Sequence, residues 1–578
     1  MNDQAIDVES TLRPADRLAS TTANGQARAT ALSADLFVSR RPTSLVAYQS
    51  AGHLLIIGEE AESLALAKHL PAHVRCTLLV GGKTGAPVAG RPLLSRENHD
   101  GIDVVSGDLV DLRGVLGQFS AVVAGPDGDV NLAQYVHGTR QAFDLILDLV
   151  TPSHMEHEIP PFGYYAPRGD AAALERALRE IPDMVGEFEK PKYFDYNPDI
   201  CAHGANGLKG CRRCLDACPT LAIKSLGEKI AVDPYLCQGG GSCATACPTG
   251  AITYVYPAAG DLLEAVKSVL KRYRAEGGRH PVILFHDAGI GRQVFERVAA
   301  RLPEHVIPFQ VEELGSVGMD AWLASLAYGA SAVLLLATPA VTASVLRELE
   351  SQLEVAEAIL AGMGYSRERV RLLTSNEDPL LLEALDETPP EPEIKPATFA
   401  ALDEKRTTIR LAVDHLYGQA GSHKRYTALP GGAPFGQVMV DRKGCTLCLS
   451  CVGVCPSSAL TDGGDLPQLN FTEWNCVQCG LCELACPEHV IARAPRFVYD
   501  PEVRRATRTL NEDRVVCCVA CGKPFATQRL LDRMTEKLAG HWMFQSEEAQ
   551  RRLRMCEECR VKDMVTRGGS LIDAHRKP

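Results

Sequence analysis

Two stretches of the chain alternate short apolar runs with helical patterns; two others show little periodicity and dense cysteines. Leu54-Leu55-Ile56-Ile57-Gly58 reads as a buried strand, and Leu64, Leu66, Ala67 and Leu70 mark a helix behind it. Cys76-Thr77-Leu78-Leu79-Val80, Asp103-Val104-Val105 and Ala121-Val122-Val123-Ala124 follow as further strands, with a helix over 170–188. Strand, helix and strand in turn predict a doubly wound α/β domain over residues 46–190. The same pattern returns over 258–385. There Leu262 to Arg274 reads as an amphipathic helix, residues 281–285 as a strand, and a glycine-bearing turn opens a helix towards Arg301. Ala330 to Ala337 is a buried strand, a long helix spans 340–361, and residues 370–373 form a last strand. Residues 1–45 lack periodicity and predict a disordered tail. Residues 387–397 hold four prolines and predict a semi-rigid linker within a 386–435 connector, followed by a helix near 399–416.

Length and composition add bounds. A chain of 578 residues exceeds what one core supports and implies several domains. With 46% hydrophobic and 23% charged residues it has ordinary globular composition, and no apolar run reaches membrane-spanning length. A formal net charge of −12 argues against nucleic acid as a partner. Of 21 cysteines only Cys76 precedes residue 200, and the rest are clustered in a large chain without an export signal. Reduced, metal-binding thiols in a cytoplasmic protein are the expectation. Arg40-Arg41 is followed by Pro42-Thr43-Ser44 and is not read as a signal.

The strongest chemical signal is Cys445-x2-Cys448-x2-Cys451-x3-Cys455-Pro456, repeated as Cys476-x2-Cys479-x2-Cys482-x3-Cys486-Pro487. This is the run of bacterial two-cluster ferredoxins, in which three cysteines wrap one cluster and the fourth crosses to its neighbour. One [4Fe–4S] cluster then takes Cys445, Cys448, Cys451 and Cys486, the other Cys476, Cys479, Cys482 and Cys455, within a module over 436–497. A zinc-knuckle pair or disulfide scaffold would not require two identical runs each closed by proline.

A second module, over 195–257, departs from this spacing twice. Cys201-x9-Cys211-x2-Cys214-x3-Cys218-Pro219 needs a loop containing Gly204, Gly207 and Gly210 to bulge and return a thiolate. Cys201, Cys211, Cys214 and Cys247 then complete a third [4Fe–4S] site. In Cys237-x5-Cys243-x3-Cys247-Pro248, Gly240 stands where a middle cysteine belongs. Cys237, Cys243 and Cys218 are left to hold a [3Fe–4S] cluster or an incompletely ligated [4Fe–4S] one. The alternative is a decayed half with no cluster.

Beyond residue 500, Cys518-x2-Cys521-Gly522 is followed 34 residues later by Cys556-x2-Cys559. Paired CxxC arms predict a zinc-ribbon-like domain over 505–570 with two helices between the arms, mononuclear iron being the alternative. Cys517 is a spare thiol.

Gly58 is followed by Glu59, Glu60 and Glu62, which would repel a phosphate, so the first domain is read as a degenerate Rossmann-like scaffold. His154 and His157 are read as surface-loop residues. Gly289-x-Gly291 could cradle a phosphate but is read as a plain turn. No catalytic residue is assigned.

The 258–385 region resembles the small electron-transferring delta subunit of methyl-viologen-reducing hydrogenases, without that family's cysteines. Asp199-Ile200-Cys201-Ala202-His203-Gly204, Cys214-Leu215-Asp216-Ala217-Cys218-Pro219 and Cys521-Gly522-Lys523-Pro524-Phe525 extend a likeness along the chain. Taken end to end it resembles the large iron–sulfur proteins of proteobacterial formate dehydrogenase loci. That resemblance implies 4Fe–4S binding and a redox protein partner, formate dehydrogenase, served either as electron carrier or as assembly factor. The expected fold class is multidomain, α/β plus α+β, and the chain is read as a non-catalytic carrier or subunit. Oligomeric state is left open.

Overall fold

His53–Ile57, buried at every position, lies inside a six-stranded sheet that organises the first domain. The computed structural model describes residues 18, 20–33, 43–81, 94–374, 377–387, 392–422, 424–464 and 466–567. The sheet runs Tyr164–Tyr165, Leu145–Asp148, His53–Ile57, Arg75–Val80, Ile102–Ser106 and Ser95–His99, parallel except for the last strand. Helix Glu60–His69 makes the crossover between the strands His53–Ile57 and Arg75–Val80. The run around Ala121–Ala124 does not join this sheet. Ser120–Gly125 pairs antiparallel with Leu109–Arg113 and Gly128–Asn131 in a separate three-stranded sheet. Alternating rather than continuous burial along Ser120–Gly125 suits that half-covered setting.

Asp148 ends the strand Leu145–Asp148 and corrects the reading of His154. The side chain of His154 is 7% exposed, not a surface-loop residue. Asp148 Oδ2 accepts from the backbone N–H of His154 (2.8 Å), its Nδ1 (2.9 Å) and the Tyr164 hydroxyl (2.5 Å). Burial pushes the carboxyl up, but these bonds outweigh it and hold Asp148 below its usual 3.8. A carboxylate depressed in the folded state contributes stability above its unfolded value and loses it as pH falls through the folded one. Asp148→Ala should therefore lower unfolding free energy at neutral pH by about 1–3 kcal/mol for each buried donor it strands. A urea melt reads this, and the deficit should shrink as pH falls below 4.

The second α/β unit is a four-stranded parallel sheet ordered Val306–Val311, Val282–Asp287, Ala332–Leu336 and Val370–Leu373. Helices Ala259–Ala275, Ile290–Val298, Met319–Ala327 and Ala343–Gly362 surround it. The Gly289-x-Gly291 turn holds no free phosphate cradle, because Asp287 Oδ1 accepts from the amides of Gly289 (2.8 Å) and Gly291 (3.0 Å).

Two connecting segments belong to this core. Within the expected tail, Ala23–Ser33 is a helix whose Ala27 and Ala31, one turn apart, are fully buried with the face of Ala259–Ala275. Arg28 donates to Pro303 O (2.8 Å) and Val306 O (2.9 Å). Residues 1–17 and 34–42, Arg40-Arg41 included, lie outside the described residues, as do 388–391 of the proline-rich segment. The described end of that segment is no spacer: Ile394 and Ala397 are buried, and Ala397 N–H donates to Ala327 O. The next helix starts at Lys405 rather than near 399 and runs to Gly418, against Met319–Ala327.

Each cysteine module carries two short helices and small antiparallel ladders. In the first, Phe194–Tyr196 pairs with Ile252–Tyr254 and Ile223–Ser225 with Ile230–Val232. In the second, Gly436–Val440 pairs with Ile491–Val498, and Leu460–Gly463 with Leu466–Thr472. No helix among the described residues is long and apolar enough to cross a membrane.

Candidate metal centres

The long Cys201–Cys211 interval folds as a hairpin. Gly204–Ala205 pairs with Leu208–Lys209 around Asn206 and Gly207, both at positive φ (51° and 77°). Below the hairpin, Gly210 N–H donates to His203 O and Cys211 N–H to Ala202 O, returning Cys211 beside Cys201. His203 pins the return, its Nδ1 2.8 Å from Cys211 O and its Nε2 2.7 Å from Ser225 Oγ.

The thiols lie close enough to act on one another electrostatically. Cys214 is pushed up by burial and then by Cys247, Cys211 and Cys201. Burial likewise raises Cys243 well above its usual value, followed by Cys237 and Cys218, then by Cys214 and Cys247 of the neighbouring set. Cys451 is pushed up to about 12 by burial, Cys445, Cys448 and Cys486. Cys482 rises through burial, Cys476, Cys479 and Cys455, with Cys451 of the adjacent set behind them. Thiols this crowded and desolvated ionise only if a cation arrives with them, as metal ligation requires. Cys445, Cys448, Cys451 and Cys486 line one cavity together with Thr446, Leu447 and Val490. The donor sets suit iron–sulfur clusters.

The loop bearing Gly240 keeps the shape of its complete counterpart. In the second module Gln478 (φ 56°) and Gly480 (φ 87°) flank Cys479; here Gly239 (φ 81°) and Gly241 (φ 72°) flank Gly240. Both glycines begin short helices, Gly241 before Ser242–Ala246 and Gly480 before Leu481–Ala485. Gly240 therefore occupies the place of Cys479. Both α/β domains grip this loop. Lys190, over the rings of Tyr48 and Phe162, donates to Tyr235 O (2.9 Å) and Cys237 O (2.6 Å). Gln238 Nε2 donates to Pro160 O, and Thr245 Oγ1 to Gly315 O (3.0 Å).

The two modules meet. Cys479 is pushed up to about 11 mainly by burial, and the charges acting on it include Cys211 of the first module besides Cys455 and Cys476. A Cβ on Gly210 would come within 2.8 Å of the Leu481 side chain.

In the C-terminal arm, Cys518, Cys521, Cys556 and Cys559 place their sulfurs within 4.8 Å of one another. Cys521 and Cys556 sulfurs are 3.7 Å apart. A tetrahedral S4 site with metal–sulfur bonds of about 2.3 Å has edges of about 3.8 Å. The spacing admits one ion and is too tight for a four-iron core. A knuckle at Cys518 and Cys521, turned by Gly522 (φ 74°), supplies two sulfurs, and the start of helix Glu557–Arg567 supplies the others. Exposed Cys517 is outside this set. The two helices expected between the arms are Gln528–Leu538 and Glu547–Leu553.

The 4Fe–4S dicluster domain matches residues 444–491 and, independently, residues 209–251. The first span includes all eight cysteines of the second module; the other begins after Cys201, at the departure from usual spacing. No curated protein matches the chain. Matched domains and gathered thiols together make this a multidomain iron–sulfur protein of mixed α/β structure that carries two 4Fe–4S dicluster ferredoxin domains, the equipment of electron transfer.

Proposed function

We propose that the chain is a non-catalytic electron carrier with three [4Fe–4S] sites, a three-thiolate site at Cys218, Cys237 and Cys243, and zinc at the C-terminal cysteines. Bound clusters would supply one-electron redox chemistry at potentials set by their type, charge and surroundings. The chain's part is to hold and insulate them. The observation that carries this reading is the contiguity of the thiol sets: Cys243 feels Cys214 and Cys247, Cys479 feels Cys211, and Cys482 feels Cys451. The order is then the three-thiolate site, the Cys211 set, the Cys479 set and the Cys448 set. Exposure of Cys448 supports the far end as the place where a redox partner would exchange electrons. The three-thiolate end is closed by both α/β domains, which supports a scaffolding role for them inside this chain.

Following the resemblance to proteins of formate dehydrogenase loci, the proposed partner is a formate dehydrogenase. Deleting the gene and purifying that enzyme tests this. Normal formate oxidation with an artificial dye, combined with failed electron flow to the natural acceptor, is expected. Loss of both activities, with metal or cofactor missing from the dehydrogenase, would favour an assembly factor instead. No change in either would remove the formate link.

A further inference from the structure

The charged run Asp403-Glu404-Lys405-Arg406 has the composition of an exposed helix start, yet each member is engaged at the meeting point of three units. Asp403 Oδ1 accepts from Gly260 N–H (2.9 Å) and ties the run to helix Ala259–Ala275. Glu404 caps helix Lys405–Gly418 by accepting from the amides of Arg406 (3.0 Å) and Thr407 (2.7 Å). Lys405 Nζ donates to Ala244 O (3.1 Å) and Thr245 O, at the C-terminal end of Ser242–Ala246, between Cys243 and Cys247. Arg406 then spans the modules. One guanidinium nitrogen donates to Pro248 O and Pro434 O (both 3.3 Å), the other to Trp474 O (2.5 Å) and Cys476 O (3.3 Å). Its guanidinium carbon is 4.9 Å from the ring centres of both Phe435 and Trp474.

Pro248 follows Cys247, a thiol of the first module's inner set, and Cys476 belongs to the second module's inner set. One planar cation thus bonds the backbone beside a cysteine in each. Taking an arginine out of water is costly, and an apolar side chain between two aromatic rings would often stabilise the fold as well. What the apolar residue lacks is the fork of directed donors, which holds several carbonyls in one fixed arrangement.

We infer that Lys405 and Arg406 are positioning residues that fix the spacing and orientation of the Cys201/Cys211/Cys214/Cys247 set relative to the Cys455/Cys476/Cys479/Cys482 set. The inference rests on the reading of these sets as cluster sites, and it deepens that reading. It makes the junction between the modules, rather than either module alone, the element that joins two separate cluster pairs into one path. Other contacts there include Gly210 against Leu481 and the strand Leu208–Lys209 against helix Leu481–Ala485, with Arg213 also donating to Gly432 O of the connector.

The test is stepwise reduction of the anaerobically purified full chain, with EPR spectra and iron content recorded at each stage for four proteins. Cys211→Ser removes the first module's inner cluster, so the magnetic broadening of second-module signals that disappears with it is intermodular. Arg406→Met and Lys405→Met should each retain wild-type iron and lose intermodular broadening, more completely for Arg406→Met. If Arg406→Met sheds iron, Lys405→Met decides alone, because Lys405 bonds only the first module. Intermodular broadening unchanged in iron-replete Lys405→Met and Arg406→Met would overturn the inference. Wild-type protein with full iron but no broadening difference from Cys211→Ser would also overturn it, leaving the carrier reading intact. Absence of iron from both modules would overturn the two together.

Discussion

Gly240→Cys should convert the three-thiolate site to a complete four-cysteine one. Iron content should rise by about one atom per chain, the difference between a three-iron and a four-iron core. The oxidised three-iron EPR signal should vanish, and a further reduced four-iron signal should appear. Three local facts favour this outcome. The residue lies midway between Cys237 and Cys243, in the register of Cys479 between Cys476 and Cys482. Its φ lies outside the left-handed region that holds Gly239 and Gly241. A Cβ placed there meets only Pro219 Cγ, at 3.7 Å, an ordinary contact. Neither neighbour would tolerate the change: a Cβ on Gly239 would meet the Tyr193 ring at 2.9 Å, and one on Gly241 would meet Ser316 Cα at 2.5 Å. Gly241→Ala is therefore the matched control, expected to lose the cluster by displacing the loop. A wild-type protein without three-iron signal, and no iron gained in Gly240→Cys, would mean that this half holds no cluster.

The same loop shows why some of the molecule was readable from sequence and some was not. Cluster ligation is written in short spacings, so the two dicluster domains are legible from counting residues between cysteines, and the bulging loop expected between Cys201 and Cys211 folds as the Gly204–Lys209 hairpin. Tertiary use of ordinary residues leaves no such trace. Val306–Val311 escapes a strand reading because Pro308 interrupts it, yet as an edge strand it tolerates the missing N–H. Met319–Ala327 is buried at eight of its nine positions and has no polar face to reveal a helical period. Ala27 and Ala31 are too small to register as an apolar stripe, although their size is what lets Ala23–Ser33 lie close on its neighbour. The role of Asp403 to Arg406 is not legible in sequence, because nothing local says that carbonyls of Pro248, Pro434, Trp474 and Cys476 converge on Arg406. His154 looked idle for the same reason, its partner being a strand-end aspartate whose strand was itself unread.

Removing the C-terminal metal should unfold residues 515–567 while leaving both ferredoxin domains loaded. The arm has only a small core of its own: Cys518, Met555 and Cys556 form its buried cluster with Phe525 and Cys559 packed against them, and Leu531 and Leu553 are buried on its two helices. Trp542, Met543, Val561 and Val565 are exposed instead. Its ties to the second module are few, and Arg529 donating to Arg442 O is among them. Thr527 Oγ1 donates to Thr446 O (3.2 Å), and Arg533 and Lys537 pair with Glu488 at 3.4 and 3.7 Å. Ion pairs whose basic partner is exposed, as in Arg533 and Lys537 here, contribute about 0–1 kcal/mol each. A structural Zn2+ on thiolates, by contrast, supplies about 10–16 kcal/mol of apparent binding free energy, which such a domain converts into folding. Cys556→Ser should therefore abolish the site, make the arm the first point of proteolytic cleavage, and leave the iron content and visible absorbance of the remaining chain unchanged. Zinc near one equivalent per chain in the wild type, absent from the variant, is the expected analysis for a single tetrahedral site. Iron in place of zinc would transfer the site to the mononuclear-iron reading. An arm that stays protease-resistant without metal would show that packing on the second module, not the four sulfurs, holds it folded.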